Sequence, residues 1–177
     1  MSDLGRREHI AHSRAQLPVH AYFDEALYRR EQQLLFSRGP GYVGHELMVP
    51  EKGDYYTLAA EGEGRVLVRS DSGIELLSNV CRHRQAVMLG GRGNTQNIVC
   101  PLHRWTYDLE GKLLGAPHFA EQPCLNLGRS PLQNWKGLLF SGARDVSRDL
   151  AALTGRPDFD FSGYMLDHVE RHECRYN

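Results

Sequence analysis

Between residues 20 and 38, Tyr22, Phe23, Ala26, Leu27, Arg30, Leu34 and Leu35 recur at three- and four-residue intervals among charged residues. That is the stripe of an amphipathic helix. Gly39-Pro40 ends it, because glycine supplies the terminal turn and proline cannot continue the ladder. Beyond Gly41 the period shortens. Residues 42–49, 55–60, 65–69 and 74–78 are short runs rich in valine, tyrosine and leucine, parted by Gly53-Asp54, a Glu/Gly turn at 61–64 and Asp71-Ser72-Gly73. Strands at such close spacing predict an antiparallel β-domain. Further strands are expected over 125–127, 132–135 and 137–141, followed by a short helix over 144–153 that carries Val146, Leu150 and Leu153 on one face. Residues 164–176 alternate, with Tyr164, Leu166, His168, Glu170, His172 and Cys174 on one side, and read as an extended strand.

The organisation expected is a flexible lead-in over 1–17, a leading helix over 18–40, a mostly β antiparallel domain over 41–142 and a tail over 143–177. At 177 residues the chain can bury one sizeable core. With 21 basic and 22 acidic residues, it has no overall charge that would call for nucleic acid or an anionic membrane. The polar first residues lack the apolar core of a signal peptide, and no run is long enough to span a bilayer, so a cytoplasmic location is expected. Four cysteines are too few for a disulfide scaffold, and two of them stand beside histidines, which points to metal. Cys124 and Cys174 are left over and are read as a buried small residue or a strand thiol.

The chemistry concentrates in residues 79–118. Cys81-x-His83 is followed after sixteen residues by Cys100-x-x-His103, with Gly90, Gly91 and Gly93 in the excursion between them. Thiolates and imidazoles are ligands for zinc, copper and iron-sulfur centres, and each pair can reach one site from one loop. One ligand of each type per loop suits a [2Fe-2S] cluster in which one iron takes both cysteines and the other both histidines. Spacing alone leaves a zinc site open.

Over residues 18–177 the sequence resembles the N-terminal half of the alpha subunit of the Rieske non-haem iron, ring-hydroxylating oxygenases. The segments that carry the resemblance are Tyr42-Val43-Gly44-His45-Glu46, Cys81-Arg82-His83-Arg84 and the run from Cys100 through Trp105 to Asp108, which leads into Asp108-Leu109-Glu110-Gly111. The resemblance implies a Rieske [2Fe-2S] domain with a cluster-binding subdomain over 79–118. Cys81 and Cys100 would hold one iron, His83 and His103 the outer one, with Arg84, Trp105 and Tyr107 around them. Two neutral imidazoles in place of two thiolates raise the charge of the oxidised cluster by about two, so an electron is accepted more readily. Respiratory-chain relatives brace their loops with a disulfide. Here Ala86 and 104–106 occupy those regions, so bracing is expected from backbone N–H groups and from Trp105 and Tyr107. Gln85 stands where many members have glycine.

Electron transfer is the implied function, as part of an oxygenase that uses dioxygen and electrons from NADH or NADPH. The donor would be a reductase or ferredoxin, and the acceptor an oxygenase catalytic domain or a neighbouring subunit, with a homotrimer possible. Arg82, Arg84, Arg92 and Arg104 are either solvated surface or a dock for an acidic donor. The mononuclear Fe(II) of such oxygenases is expected in a catalytic domain outside this chain. His168 and His172, with Asp167, Glu170 or Glu173, are read as ordinary strand histidines. The alternatives are a stand-alone Rieske ferredoxin and a zinc-stabilised binding module.

Overall fold

The computed structural model describes residues 18–36, 39–59, 62–121, 123–168 and 170. The chain divides into two compact units, Met1–Ser37 and Arg38–Asn177. The proposed lead-in, residues 1–17, lies outside the described residues. In the first unit the single helix expected over 18–40 is divided. A 3-10 turn, Val19–Tyr22, precedes helix α1, Glu25–Glu31, and Gln32–Phe36 widens into a π-helical turn. The break comes from Asp24, whose carboxylate accepts the N–H groups of Ala26 and Leu27 at 2.8 and 3.1 Å and so starts a new helix.

The second unit is mostly antiparallel β, as the short runs predict. It comprises β1 (Gly41–His45), β2 (Asp54–Thr57), β3 (Arg65–Arg69), β4 (Ile74–Ser78), β5 (Arg92–Asn94), β6 (Ile98–Val99), β7 (Thr106–Tyr107), β8 (Leu113–Gly115), β9 (Arg129–Ser130), β10 (Leu132–Trp135) and β11 (Leu138–Ser141). They form a five-stranded sheet in the order β5-β2-β3-β4-β9 and two three-stranded sheets, β1-β11-β10 and β6-β7-β8. Helix α2, Val146–Asp149, is capped by the Asp145 carboxylate, which shortens the helix expected over 144–153; a 3-10 turn, Ala151–Leu153, follows. Among the described residues no helix is long and apolar enough to cross a membrane.

Strands β3 and β4 divide the core. Val66 and Val68 on β3 and Leu77 on β4 join a cluster that contains Cys81, Cys100, Trp105 and Tyr107. Leu67 and Leu76 point the other way and pack with Val49, Leu58 and Leu139. The register, Val66 opposite Leu77 and Leu67 opposite Leu76, keeps each pair on one face. Both faces of these strands are therefore covered, which explains the unbroken apolar run from Val66 to Val68. The metal-ligand candidates thus rest on one face of the central sheet.

Several expectations are corrected. Residues 46–48 turn into a 3-10 helix because the His45 ring accepts the Leu47 N–H, ending β1 early. Residues 125–127 form no strand; Asn126 and Leu127 instead bond Leu113 and Gly111, and pairing with β4 starts at Arg129. Residues 164–168 are not a strand either. Their alternation finds no neighbouring strand, and an unpaired extended segment has no ladder to hold it. Cys124 is exposed, not buried; Cys174 and His172 lie outside the described residues.

Candidate metal centre

Two loops of one design present the four candidate ligands. In the first, Cys81 N–H donates to the Ala86 carbonyl and Gln85 N–H returns to the Cys81 carbonyl, both at 2.9 Å. In the second, Cys100 N–H donates to the Trp105 carbonyl at 2.8 Å and Arg104 N–H to that of Cys100 at 3.0 Å. Outside these bonds, Val80 pairs with Val87 and Val99 with Thr106, so the offsets from each cysteine are the same. Each closure needs a left-handed residue, supplied by Gln85 at φ 57° and Arg104 at φ 59°.

Neither position is a glycine, and each L side chain is strained there. Gln85 is exposed, so little packing is lost on its removal. Gln85→Gly is expected to raise stability by about 1 kcal/mol, the relieved strain outweighing the added freedom of the unfolded chain. A denaturant titration of both proteins checks it, and a lower midpoint for the variant would refute it.

Within the loops the side chains sort by type. Cys81 and Cys100 are buried, at 1% and 2% exposure, and turn inward around Tyr107. The Tyr107 hydroxyl accepts the Arg82 N–H at 3.2 Å and stands 3.8 Å from Cys81 Sγ. Burial pushes this phenol well above its ordinary pKa, and both cysteines add to the effect against the Arg82 bond. It therefore keeps its proton and can donate it to sulfur. His83 and His103 lie outward, ring centroids 4.6 Å apart at 74°. Trp105, fully buried, stacks on His83 at 5.0 Å and 4°, and Phe119 meets both rings edge-on at 5.7 and 5.2 Å.

The Nδ1 atom of His83 is buried and has no hydrogen-bond partner in the protein. Burial first, then the fields of His103 and Arg84, hold this imidazole below its ordinary pKa, which favours the neutral form that metals require. A thiol pair and an imidazole pair suit two irons, each with two protein ligands. The donor set and the orphaned nitrogen thus fit a [2Fe-2S] cluster.

The strand before the site and the turn after it fix the loops. Asn79 is fully buried. Its amide donates to the carbonyls of Glu63 and Leu89 at 2.9 and 2.7 Å and accepts the Leu89 N–H at 3.0 Å. Asp108 accepts the N–H groups of Glu110 and Lys112, which turns the chain at Gly111, where φ is 84° and an added Cβ would meet Leu127 and Leu77 at 3.2 Å. The left-handed φ and the close approach both favour glycine there. Sequence reasoning gave no role to Asn79 or Phe119; a lone asparagine between a strand and the first cysteine, and an aromatic just beyond Pro117, were the available signals.

Arg82, Arg84 and Arg104 are exposed on the loops, while Arg92 stands on β5 opposite Tyr56 and on neither loop. His168 and Asp167 are exposed and join no metal-ligand group among the described residues.

Residues 40–133 match the family model of the Rieske [2Fe-2S] domain. The chain is 71% identical over 177 residues to a putrescine 2-hydroxylase of Ralstonia nicotianae, covering 100% of this chain and 48% of that protein. It is 34% identical to the alpha subunit of benzene 1,2-dioxygenase of Pseudomonas putida, covering 84% of this chain and 35% of that one. The chain thus spans about half or less of the length of these relatives. Among solved structures, a quaternary ammonium Rieske monooxygenase superposes with a TM-score of 0.68 at 25% identity, over 79% of this chain and 42% of that one. With its antiparallel sheets, its twin loops and this match, the chain belongs to the Rieske [2Fe-2S] domain family, in the form found in the N-terminal half of Rieske oxygenase alpha subunits.

Proposed function

We propose that Cys81 and Cys100 hold one iron of a Rieske [2Fe-2S] cluster and His83 and His103 the other, and that the chain transfers single electrons as the electron-accepting part of a hydroxylating oxygenase. The observation that carries this reading is the sorting of the four side chains into a buried thiol pair around Tyr107 and an outward imidazole pair 4.6 Å apart. When bound, the cluster supplies a one-electron store. The protein's part is to order and shield it. Twin loop closures aim the ligands, Tyr107 holds a proton toward Cys81, and Trp105 with Phe119 packs against the His83 ring and fixes its orientation. The partly exposed His83 and His103 are the edge through which an electron enters or leaves, and the exposed Arg82, Arg84 and Arg104 suit an acidic reductase or ferredoxin donor.

On this reading residues 41–142 are the Rieske domain, 79–118 its cluster subdomain, and 143–177 lead toward a catalytic part holding a mononuclear iron. The relative at 71% identity, against 34% for the aromatic dioxygenase, favours an aliphatic diamine such as putrescine as the substrate of the whole oxygenase. The test is the purified chain itself. Two irons and two sulfides per chain are expected, with visible absorption and, after dithionite reduction, an electron paramagnetic resonance signal of a Rieske centre. A colourless protein with one zinc would sink the proposal.

A further inference from the structure

Trp105 is fully buried, yet its indole Nε1–H has no acceptor in the protein. Buried donors without acceptors are rare, and each calls for a reason. An indole N–H lies in the plane of its own ring. Because Trp105 is parallel to His83 within 4°, that N–H cannot point into the face of the imidazole stacked on it. The second unpartnered nitrogen of this pocket, His83 Nδ1, belongs to that same imidazole. Two stacked rings of this pocket thus each keep one buried nitrogen without a protein partner. Trp105 also joins the two loops: its carbonyl accepts the Cys100 N–H that closes the second, while its ring lies against the histidine of the first.

We infer that the Trp105 indole N–H is a hydrogen-bond donor to a sulfur of the bound cluster, making Trp105 a positioning residue that raises the cluster's reduction potential. The inference rests on the ligand assignment proposed above. Its physical basis is that reduction adds negative charge to the iron-sulfur unit, and a proton donated to sulfur stabilises that charge more than it stabilises the oxidised form. Sulfur lone pairs are the acceptors such a cluster would supply, on a sulfide or on a cysteine thiolate.

The test uses the cluster-loaded chain with tryptophan labelled by 15N at the indole nitrogen, reduced and studied by electron-nuclear double resonance. Trp135→Phe removes the other tryptophan and isolates the signal of Trp105. A 15N coupling and an exchangeable-proton coupling are expected in this protein and absent from Trp105→Phe. A redox titration of Trp105→Phe is expected to show the electron held about tenfold less tightly, a fall of about 59 mV for a one-electron couple. Reconstitution with selenide distinguishes the acceptors: a bridging atom changes the coupling, a thiolate leaves it. Unchanged midpoint and unchanged couplings in Trp105→Phe would overturn the inference. Should Trp105→Phe not take up the cluster, the 15N coupling in the Trp135→Phe protein decides, its presence supporting the inference and its absence refuting it. A parent chain with no [2Fe-2S] signal would refute the ligand assignment and this inference together, at the first measurement.

Discussion

Cys81→Ser and Cys100→Ser should each yield a colourless protein with essentially no bound iron or sulfide. A serine hydroxyl is a poor ligand for an iron-sulfur centre because it resists losing its proton, and the remaining three side chains leave one iron with a single protein ligand. The damage should extend to stability. Both cysteines are buried in the same core cluster as Val66, Val68 and Leu77, so a lost cluster also leaves polar hydroxyls against an apolar face. Cluster binding and folding of this end should be linked, as in other metal-dependent folds. Cys124→Ser is the control: that thiol is exposed, and iron content should be unchanged. Iron and sulfide assays with visible spectra measure all three. Full cluster content in either of the first two variants would remove that cysteine from the ligand set.

Asn79→Ala should lower stability by about 3 kcal/mol, because three hydrogen bonds worth roughly 1 kcal/mol each are lost and their backbone partners on the half-buried Glu63 and Leu89 lose the amide that paired them. The position explains the size of the effect. Asn79 follows the last residue of β4, is itself buried, and ties the strand end to the carbonyl of Glu63 and to both polar backbone groups of Leu89. Its own backbone also accepts the Met88 N–H and donates to Gly64. The first ligand loop is thus clamped at its two feet by one side chain. A domain with total stability in the usual range of about 5–15 kcal/mol would lose a large part of it. Urea unfolding with an unchanged slope and a lower midpoint is the expected record. A loss below about 1 kcal/mol would mean that water replaces the amide at no great cost.

The sequence was most informative where chemistry and periodicity coincide. Arg65–Arg69 and Ile74–Ser78 are strands with the bounds their apolar runs suggest, since both lie in the middle of a sheet where pairing on two sides leaves little freedom. Cys81, His83, Cys100 and His103 were visible as two pairs because local spacing alone brings each pair to one loop tip. That the loops lie together depends on the core under them, which no spacing records. Periodicity misled at the ends of elements. Asp24 and Asp145 restart the chain as caps, and His45 does the same with its ring, each by a bond that overrides the apolar stripe around it. The alternation over 164–168 shows the opposite failure, a pattern with no partner strand to use it. Asn79 and Phe119 stayed silent because their roles come from contacts ten or more residues away.

The matched closures of the two loops have a mechanical consequence. One loop springs from the central sheet at β4 and the other from the small sheet at β6 and β7, so the two feet belong to different sheets. A cluster gripping both tips is a cross-link between them. It would close a ring around the segment 84–99, and a covalent tie across a loop of about that length removes roughly 3 kcal/mol of unfolded-chain freedom. The redox centre would then double as the staple that a domain with no disulfide among its described cysteines otherwise does without.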